Sequence, residues 1–284
     1  MKNSGFWVRM FMPDGDPDGL KTVEKSNWSG LGLLIPRPLY PNASGRKECS
    51  SPGVYLLVGP SSDSQMQQIY VGEGDPVRER LNKHIKEKDF WTTAVVFTSL
   101  SQGLNKAHIQ YLEARLLELS KQAKKCVIDN GNSPQRPSLS EPDEAQAEAF
   151  LENTLLCLSA LGYSFFQIPS AGGSSVADYV LNGRGIQAKG YVSSAGFVVR
   201  SGSYAAKTQT DSLHGYLSEL RASLILQGVL AEKGEKYELI QDYEFGSPST
   251  AAGVMLGRVS NGRADWKTED GKTLGAVEEG KVTS

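Results

Sequence analysis

Short runs of β-branched and aromatic residues, separated by turn-forming clusters, dominate the first hundred positions of the chain. Phe6 to Met12 reads as a strand, Pro13 to Gly19 as a turn and Leu31 to Ile35 as another short strand. The Asp residues of that turn lack the spacing and closing Glu of an EF-hand, so the turn reads as a connection, not a Ca²⁺ loop. Val54 to Val58, opened by Pro52-Gly53, predicts a strand. Gly59 to Ser64 predicts a polar turn, and Ile69 to Val71 resumes as the second strand of a pair. In Gly72-Glu73-Gly74-Asp75-Pro76 a helix should begin, with Asp75 as N-cap and Pro76 as its first residue. Its apolar stripe is Val77, Leu81 and Ile85. Thr92 to Thr98 then predicts a buried strand. A long helix follows from about Asn105 to Lys125, with Ile109, Leu112, Leu116 and Leu119 on its core face.

Farther along, Gly131 to Pro142 is rich in Pro, Ser and Asn and reads as a linker. Ser140 caps a helix that runs to about Leu161, with Glu141, Asp143 and Glu144 in its first turn. Ala188 to Val192 and Gly196 to Val199 predict a hairpin around Ser193 to Ala195, and a helix is expected from about Leu213 to Glu232. Ser247 with Pro248 signals a short helix. A last hairpin is predicted to hold Ala264 to Lys267 and to turn at Asp270-Gly271. The expected fold class is α+β: a small mixed sheet with flanking helices and a separate α+β C-terminal domain. The expected division is 1–50, strand-rich; 51–132, a first domain; 133–162, linker and helix; and 163–284, the C-terminal domain.

Composition adds little to this picture. A chain of 284 residues can hold two or three small domains, and 39% hydrophobic with 22% charged residues is ordinary for a soluble protein. Cys49, Cys126 and Cys157 are odd in number and lack metal-ligand spacing, which suits a reducing compartment. No secretory signal is read at the N-terminus and no apolar run reaches membrane-spanning length, so a cytoplasmic protein without a membrane partner is expected. A net charge of −2 leaves room for a local basic patch. Lys83, Lys86 and Lys88 on the first long helix, and Lys121, Lys124 and Lys125 at the end of the next, are either such patches or solvated helix faces.

Chemistry concentrates between Tyr55 and Glu113. Strand alternation allows Tyr55 and Tyr70 to meet across the strand pair. Arg80 and His84 are i, i+4 neighbours within roughly 60° of the apolar stripe, so their heads converge at the margin of the core. A guanidinium there offers a planar fork of donors to phosphate oxygens. Glu113 flanks the apolar stripe of the next helix and needs a partner or a metal; Arg115 and Lys106 are the alternatives to a metal. His108 lies about 140° around the helix from Glu113 and reads as structural, like Tyr111.

Taken in order, Gly53-Val54-Tyr55, Tyr70-Val71-Gly72, Arg80, His84 and Glu113 resemble the GIY-YIG nuclease family over roughly residues 52–132. The two triplets depart from the family only by Val for Ile. The family also tends to carry an Asn after the Glu helix, which makes Asn130 or Asn132 a candidate, Asn130 preferred; a plain turn at Asn130-Gly131 is the alternative. The resemblance implies metal-dependent endonuclease chemistry on DNA, RNA being less favoured. Glu113 would hold Mg²⁺ (or Mn²⁺) and Arg80 would stabilise phosphoryl charge. Tyr55, aided by nearby cations that favour its phenolate, or His84, would activate water, and Tyr70 would assist in positioning. One site cuts one strand, so double-strand cleavage would call for a homodimer or two visits. A chain that kept the fold as a nucleic-acid-binding or scaffold protein is the alternative.

The C-terminal region resembles an uncharacterised domain found behind GIY-YIG modules. Its Gly257 to Gly262 segment and Trp266 resemble small modules attached to DNA-modifying enzymes. That implies Arg258, Asn261, Arg263, Trp266 and Lys267, with Lys83 of the first helix, as nucleic-acid contacts, the Trp by base stacking. A structural hairpin with Trp266 in its core is the competing reading.

Overall fold

Residues 5–62, 64–101, 103–169 and 178–282 are described by a computed structural model of the chain, which divides into two units, Met1–Gln167 and Ile168–Ser284. Helices and strands are both abundant, and the class is α+β.

The first unit runs β1 (Val8–Phe11), β2 (Lys21–Lys25), β3 (Gly30–Pro36), α1 (Tyr40–Ala43), β4 (Gly53–Pro60), β5 (Gln67–Gly74), α2 (Val77–Glu87), β6 (Thr93–Ser99), α3 (Lys106–Ala123), β7 (Val127–Ile128) and α4 (Glu141–Ala160). Seven strands form one sheet in the order β1-β2-β3-β6-β4-β5-β7, antiparallel except where β7 runs parallel to β5. The strand-rich first fifty residues therefore join the same sheet as the Tyr55 hairpin, through β3 against β6. Nearly every residue of β4 and β6 is buried, as expected of central strands built from Val, Leu, Ala and Phe. Asp63, inside the predicted turn, lies outside the described residues.

Strand alternation splits the core in two. Val54, Leu56, Val71, Val95 and Phe97 face one way, against Ile109, Leu112 and Leu116 of α3 and Phe150, Leu151 and Leu158 of α4. Tyr55, Leu57, Ala94 and Val96 face the other way, against Val77 and Leu81 of α2 and Tyr40 and Ala43 of α1. Each fully buried Leu or Phe contributes about 1.5–3 kcal/mol. Helices α2 and α3 thus lie on opposite faces.

Helix α2 starts one residue later than predicted. Pro76 is the N-cap, in extended conformation, and Asp75 makes no cap. The first amides of α2 are met instead by the preceding loop: Val77 donates to the Ser51 carbonyl at 3.2 Å and Arg78 to that of Cys49 at 2.7 Å. At the other end of α2, Arg37 donates to the carbonyls of Ile85 and Lys88.

The second unit runs β8 (Tyr179–Gly183), β9 (Ile186–Val192), β10 (Phe197–Val199), β11 (Tyr204–Ala206), α5 (Gly215–Leu226), β12 (Leu230–Lys233), β13 (Lys236–Leu239), β14 (Tyr243–Phe245), α6 (Pro248–Leu256), α7 (Gly262–Asp265) and α8 (Leu274–Val282). Its sheets are β14-β10-β9-β8 and β11-β13-β12. Helix α5 is shorter than the predicted Leu213–Glu232 span, because Gly228, at φ 64°, turns the chain into β12. The predicted closing hairpin is also revised. Residues 262–265 are a helical turn, and Lys267 and Thr273 meet only as an isolated bridge. No helix among the described residues is long and apolar enough to cross a membrane.

Candidate active site

Register fixes the two tyrosines. Tyr55 lies opposite Gly72 and Tyr70 opposite Leu57, so the phenols are diagonal neighbours on the α2 face, with ring centroids 6.3 Å apart. A side chain at position 72 would collide with Tyr55: a Cβ built there would stand 2.3 Å from the hydroxyl oxygen. The glycine that ends Tyr70-Val71-Gly72 is the space in which the Tyr55 hydroxyl sits.

From α2, His84 completes an aromatic cluster. Its Nε2 is hydrogen-bonded to the Tyr55 hydroxyl at 2.8 Å, and its ring centroid is 4.8 Å from that of Tyr70. The imidazole is buried, and burial, with Arg80, Lys88 and Lys83 nearby, lowers its pKa to about 4. It is therefore neutral at pH 7 and able to accept a proton from the phenol, the tautomer being set by that hydrogen bond. His84 Nδ1 has no hydrogen-bond partner among the described residues. Arg80, one turn before His84 and exposed, interacts electrostatically with both phenols.

Depth reverses one expectation. Tyr55 is fully buried, and burial, reinforced by Tyr70, raises its pKa well above that of a free phenol despite Arg80. The cations do not make it a phenolate, and bulk water does not reach it. Tyr70 is only half-buried and is the phenol that solvent meets.

Glu113 lies on α3, across the sheet, and is coupled electrostatically to Arg80 and Tyr55. Strand pairing along the outer side of β5 stops at Ile69 of the β7 ladder. Asn130 then takes Val71 with its side chain, accepting from the backbone N–H at 3.0 Å and donating to the C=O at 2.7 Å. Beyond that point no strand among the described residues covers Gly72 to Gly74. There the charge of Arg80 on α2 bears on the Glu113 carboxylate of α3. Burial, together with Glu73, raises the Glu113 pKa to about 7, against the opposing pull of Arg80 and Lys106.

Both cations expected as alternative partners of Glu113 are engaged elsewhere. Lys106 donates to the two Glu73 oxygens at 2.7 and 2.6 Å, and Arg115 pairs with Glu148 at 2.6 Å and Glu118 at 2.8 Å. Among the described residues Glu113 has no ion-pair partner. A desolvated, unneutralised carboxylate fits a hard cation that keeps most of its waters. No group of three or more His, Cys, Asp or Glu gathers as a metal cage among the described residues.

Other candidates fall into place individually. Asn130 is occupied with the β5 backbone, which makes it a support for the strand that carries Tyr70. His108 caps α3 reciprocally with Asn105, matching its structural reading, and Tyr111 donates to Glu144 and Glu148. Lys83 is exposed beside Glu87 at 3.8 Å. In the second unit, Trp266 is fully buried, its ring centroid 4.5 Å from that of Phe197 and its Nε1 donating to the Pro248 carbonyl at 3.0 Å. It is closed to a nucleic-acid base, which corrects the stacking role expected for it. Arg258 pairs with Asp265, and Arg263 with Glu278 and Glu279; Asn261 caps α7, while Lys267 remains exposed.

Lys88, read from the sequence only as part of a basic helix face, and the pairing of Lys106 with Glu73 adjoin the site in ways the sequence pattern did not show. The Lys88 ammonium sits 4.6 Å from the centroid of the Tyr70 ring and pairs with Asp129, which in turn accepts from Gln68 at 2.8 Å. The Arg80, His84, Lys88 spacing of four was the available signal for the first. For the second there was none, since Glu73 and Lys106 are far apart in sequence.

Residues 179–278 match a family model described as a domain of unknown function (DUF4357). The match falls within the second unit and leaves the Tyr55–Glu113 cluster outside it. No curated protein and no solved structure matches the chain.

Proposed function

We propose that the chain is a metal-dependent endonuclease of GIY-YIG type that hydrolyses phosphodiester bonds in DNA. One observation carries the reading. Tyr55, Tyr70, Arg80 and His84 converge at the uncovered end of β5, where an unneutralised Glu113 carboxylate meets the charge of Arg80.

Arg80 is exposed, cationic and free of any carboxylate partner within ion-pair distance among the described residues, so it is available to the scissile phosphate. There it offsets the charge that builds on the phosphoryl oxygens. Tyr70, half-exposed between Arg80 and Lys88, orients the phosphate and the attacking water. Tyr55 and His84 form the layer beneath. The phenol donates to the neutral imidazole, and the arrival of an anionic phosphate beside Arg80 makes His84 a better proton acceptor than it is in the free chain. Glu113 is the residue that would hold Mg²⁺ or Mn²⁺, and such an ion, when bound, polarises the phosphate and stabilises the leaving oxygen. One such centre cuts one strand per encounter, so double-strand breaks require a second copy or a second visit.

Incubation of the full chain with supercoiled plasmid and Mg²⁺, with and without a chelator, tests this. Nicked circles that form only with free metal are expected. Intact plasmid across Mg²⁺, Mn²⁺ and branched or single-stranded substrates would overturn the proposal.

A further inference from the structure

Glu73 stands in the uncovered stretch of β5, two residues beyond Val71. Strand alternation turns its side chain to the α3 face, where Val71 packs with Ile109 and Leu112. There the Lys106 ammonium straddles the two Glu73 carboxylate oxygens, at 2.7 and 2.6 Å. Lys106 opens α3, and Glu113 follows seven residues later on the same helix. Seven residues make two turns to within about 20°, so Lys106 and Glu113 share one line along α3. Glu73, Lys106 and Glu113 therefore form one cluster of two carboxylates with a single ammonium, and the charges of Glu73 and Lys106 both bear on Glu113.

The two ends of the ion pair differ in exposure, 16% for the Glu73 side chain and 54% for that of Lys106. The carboxylate is fixed on a strand and largely withdrawn from water. The ammonium stands at the surface on a flexible four-carbon stem. An exposed ammonium is held weakly in such a pair and is free to swing into solvent. Its departure leaves two partly desolvated carboxylates whose charges oppose each other, which is costly until a cation joins them. Mg²⁺ and Mn²⁺ suit that vacancy, since a hard divalent ion is held by one or two carboxylates and Mg²⁺ keeps several of its waters.

We propose that Glu73 is a second carboxylate serving the cation at Glu113, accepting hydrogen bonds from the waters such an ion keeps, and that the Lys106 ammonium stands in for that cation in the metal-free chain. This role rests on the nuclease reading for the presence of a cation at Glu113. Ammonium and hydrated ion compete for one carboxylate, so loading of the site releases Lys106 from Glu73. Glu73 is a positioning residue in this scheme, because it acts on the ion through water.

Electron paramagnetic resonance of free Mn²⁺, titrated against the full chain without DNA, tests this. The titration is run at about pH 8, above the value of about 7 at which Glu113 takes up its proton. Glu113→Gln should abolish the site. Lys106→Met should tighten binding about threefold by removing one screened like charge. Glu73→Gln should weaken it about tenfold, the usual cost of losing a partner in the outer shell of a metal. In that variant the released Lys106 is free to neutralise Glu113, so the decisive protein carries Glu73→Gln and Lys106→Met together. It should bind Mn²⁺ about tenfold more weakly than Lys106→Met alone. Equal affinity in those two proteins overturns the proposal. So does a Lys106→Met protein that binds no more tightly than the parent, or binding that Glu113→Gln leaves unchanged. Plasmid nicking separates the two claims: nicking by the parent with an affinity indifferent to Glu73 removes the second carboxylate and leaves the nuclease. Graded affinities without nicking do the reverse.

Discussion

Glu113 is a carboxyl held against its usual ionisation by its surroundings. Its carboxyl titrates near pH 7 because it is desolvated and faces Glu73, while Lys106 is committed to Glu73. A cation must displace that proton, so apparent Mn²⁺ affinity should fall about tenfold for each pH unit below about 7. Electron paramagnetic resonance of free Mn²⁺ reads this directly, and an affinity flat across that range would contradict it. The same shift affects stability. The folded chain keeps a proton that the unfolded chain releases between the ordinary carboxyl value of 4.5 and about 7, so a cost accrues as pH rises through that window and is complete above it. Glu113→Gln should therefore stabilise the metal-free protein at neutral pH by about 1 kcal/mol after solvent screening, seen as a rise of a few degrees in thermal midpoint. Gly72→Ala should act through geometry. The added methyl displaces the Tyr55 hydroxyl and its bond to His84, and cleavage should drop by about 10²-fold or more while circular dichroism stays native.

These residues differ in how far the sequence exposed them. The order Tyr55, Tyr70, Arg80, His84, Glu113 was legible, and the strand period put the two tyrosines on one face while the helix period put Arg80 and His84 beside the α2 stripe. Depth was not legible. Period two says which way Tyr55 points but not that Leu57, Leu81 and Ala94 close over that face, and so the favoured phenolate gave way to a buried neutral phenol.

At the scale of elements, the end of β5 is shaped by what does not pair with it. The β7 ladder covers only Gln68 and Ile69, and the Asn130 amide imitates one further strand residue at Val71 before leaving the edge to Glu113. Asn130→Ala removes both bonds and leaves the Val71 amide unmet, a loss of about 1–3 kcal/mol. Chemical denaturation should record it, with faster amide exchange at Val71; unchanged stability would contradict the role. The hairpin was legible from two β-rich runs around a polar turn, α3 from its apolar period and α4 from its period and the Ser140 cap. Helix α2 was legible in its stripe but not in its start, since the acceptors for its first amides come from Cys49 and Ser51, more than twenty residues upstream. Helix α5 was overextended because Leu230 and Ala231 continue an apolar pattern after Gly228 has turned the chain into a strand.

Taken as a whole molecule, the chain pairs a unit that carries a candidate reaction centre with one that matches a family of unknown function. In the second unit Trp266 belongs to the core, against Phe197 and the Pro248 carbonyl, so Trp266→Ala should destabilise that unit by about 3–5 kcal/mol and broaden or split the thermal transition. A variant that melts like the parent would contradict that placement. Nothing in the local sequence distinguished a buried Trp from a stacking one, because Arg258, Arg263 and Lys267 surround it in sequence while their charges point to acidic partners or to solvent.

Hydrolysis of phosphodiesters by Glu113 and the cluster around Arg80 with a bound cation is tested most directly by the Mg²⁺-dependent nicking rate of Glu113→Gln beside that of the parent chain, with both shown to bind the same DNA. The variant is expected to bind DNA at least as well and to nick at least a thousandfold more slowly. A Glu113→Gln protein that nicks at the parent rate would contradict it.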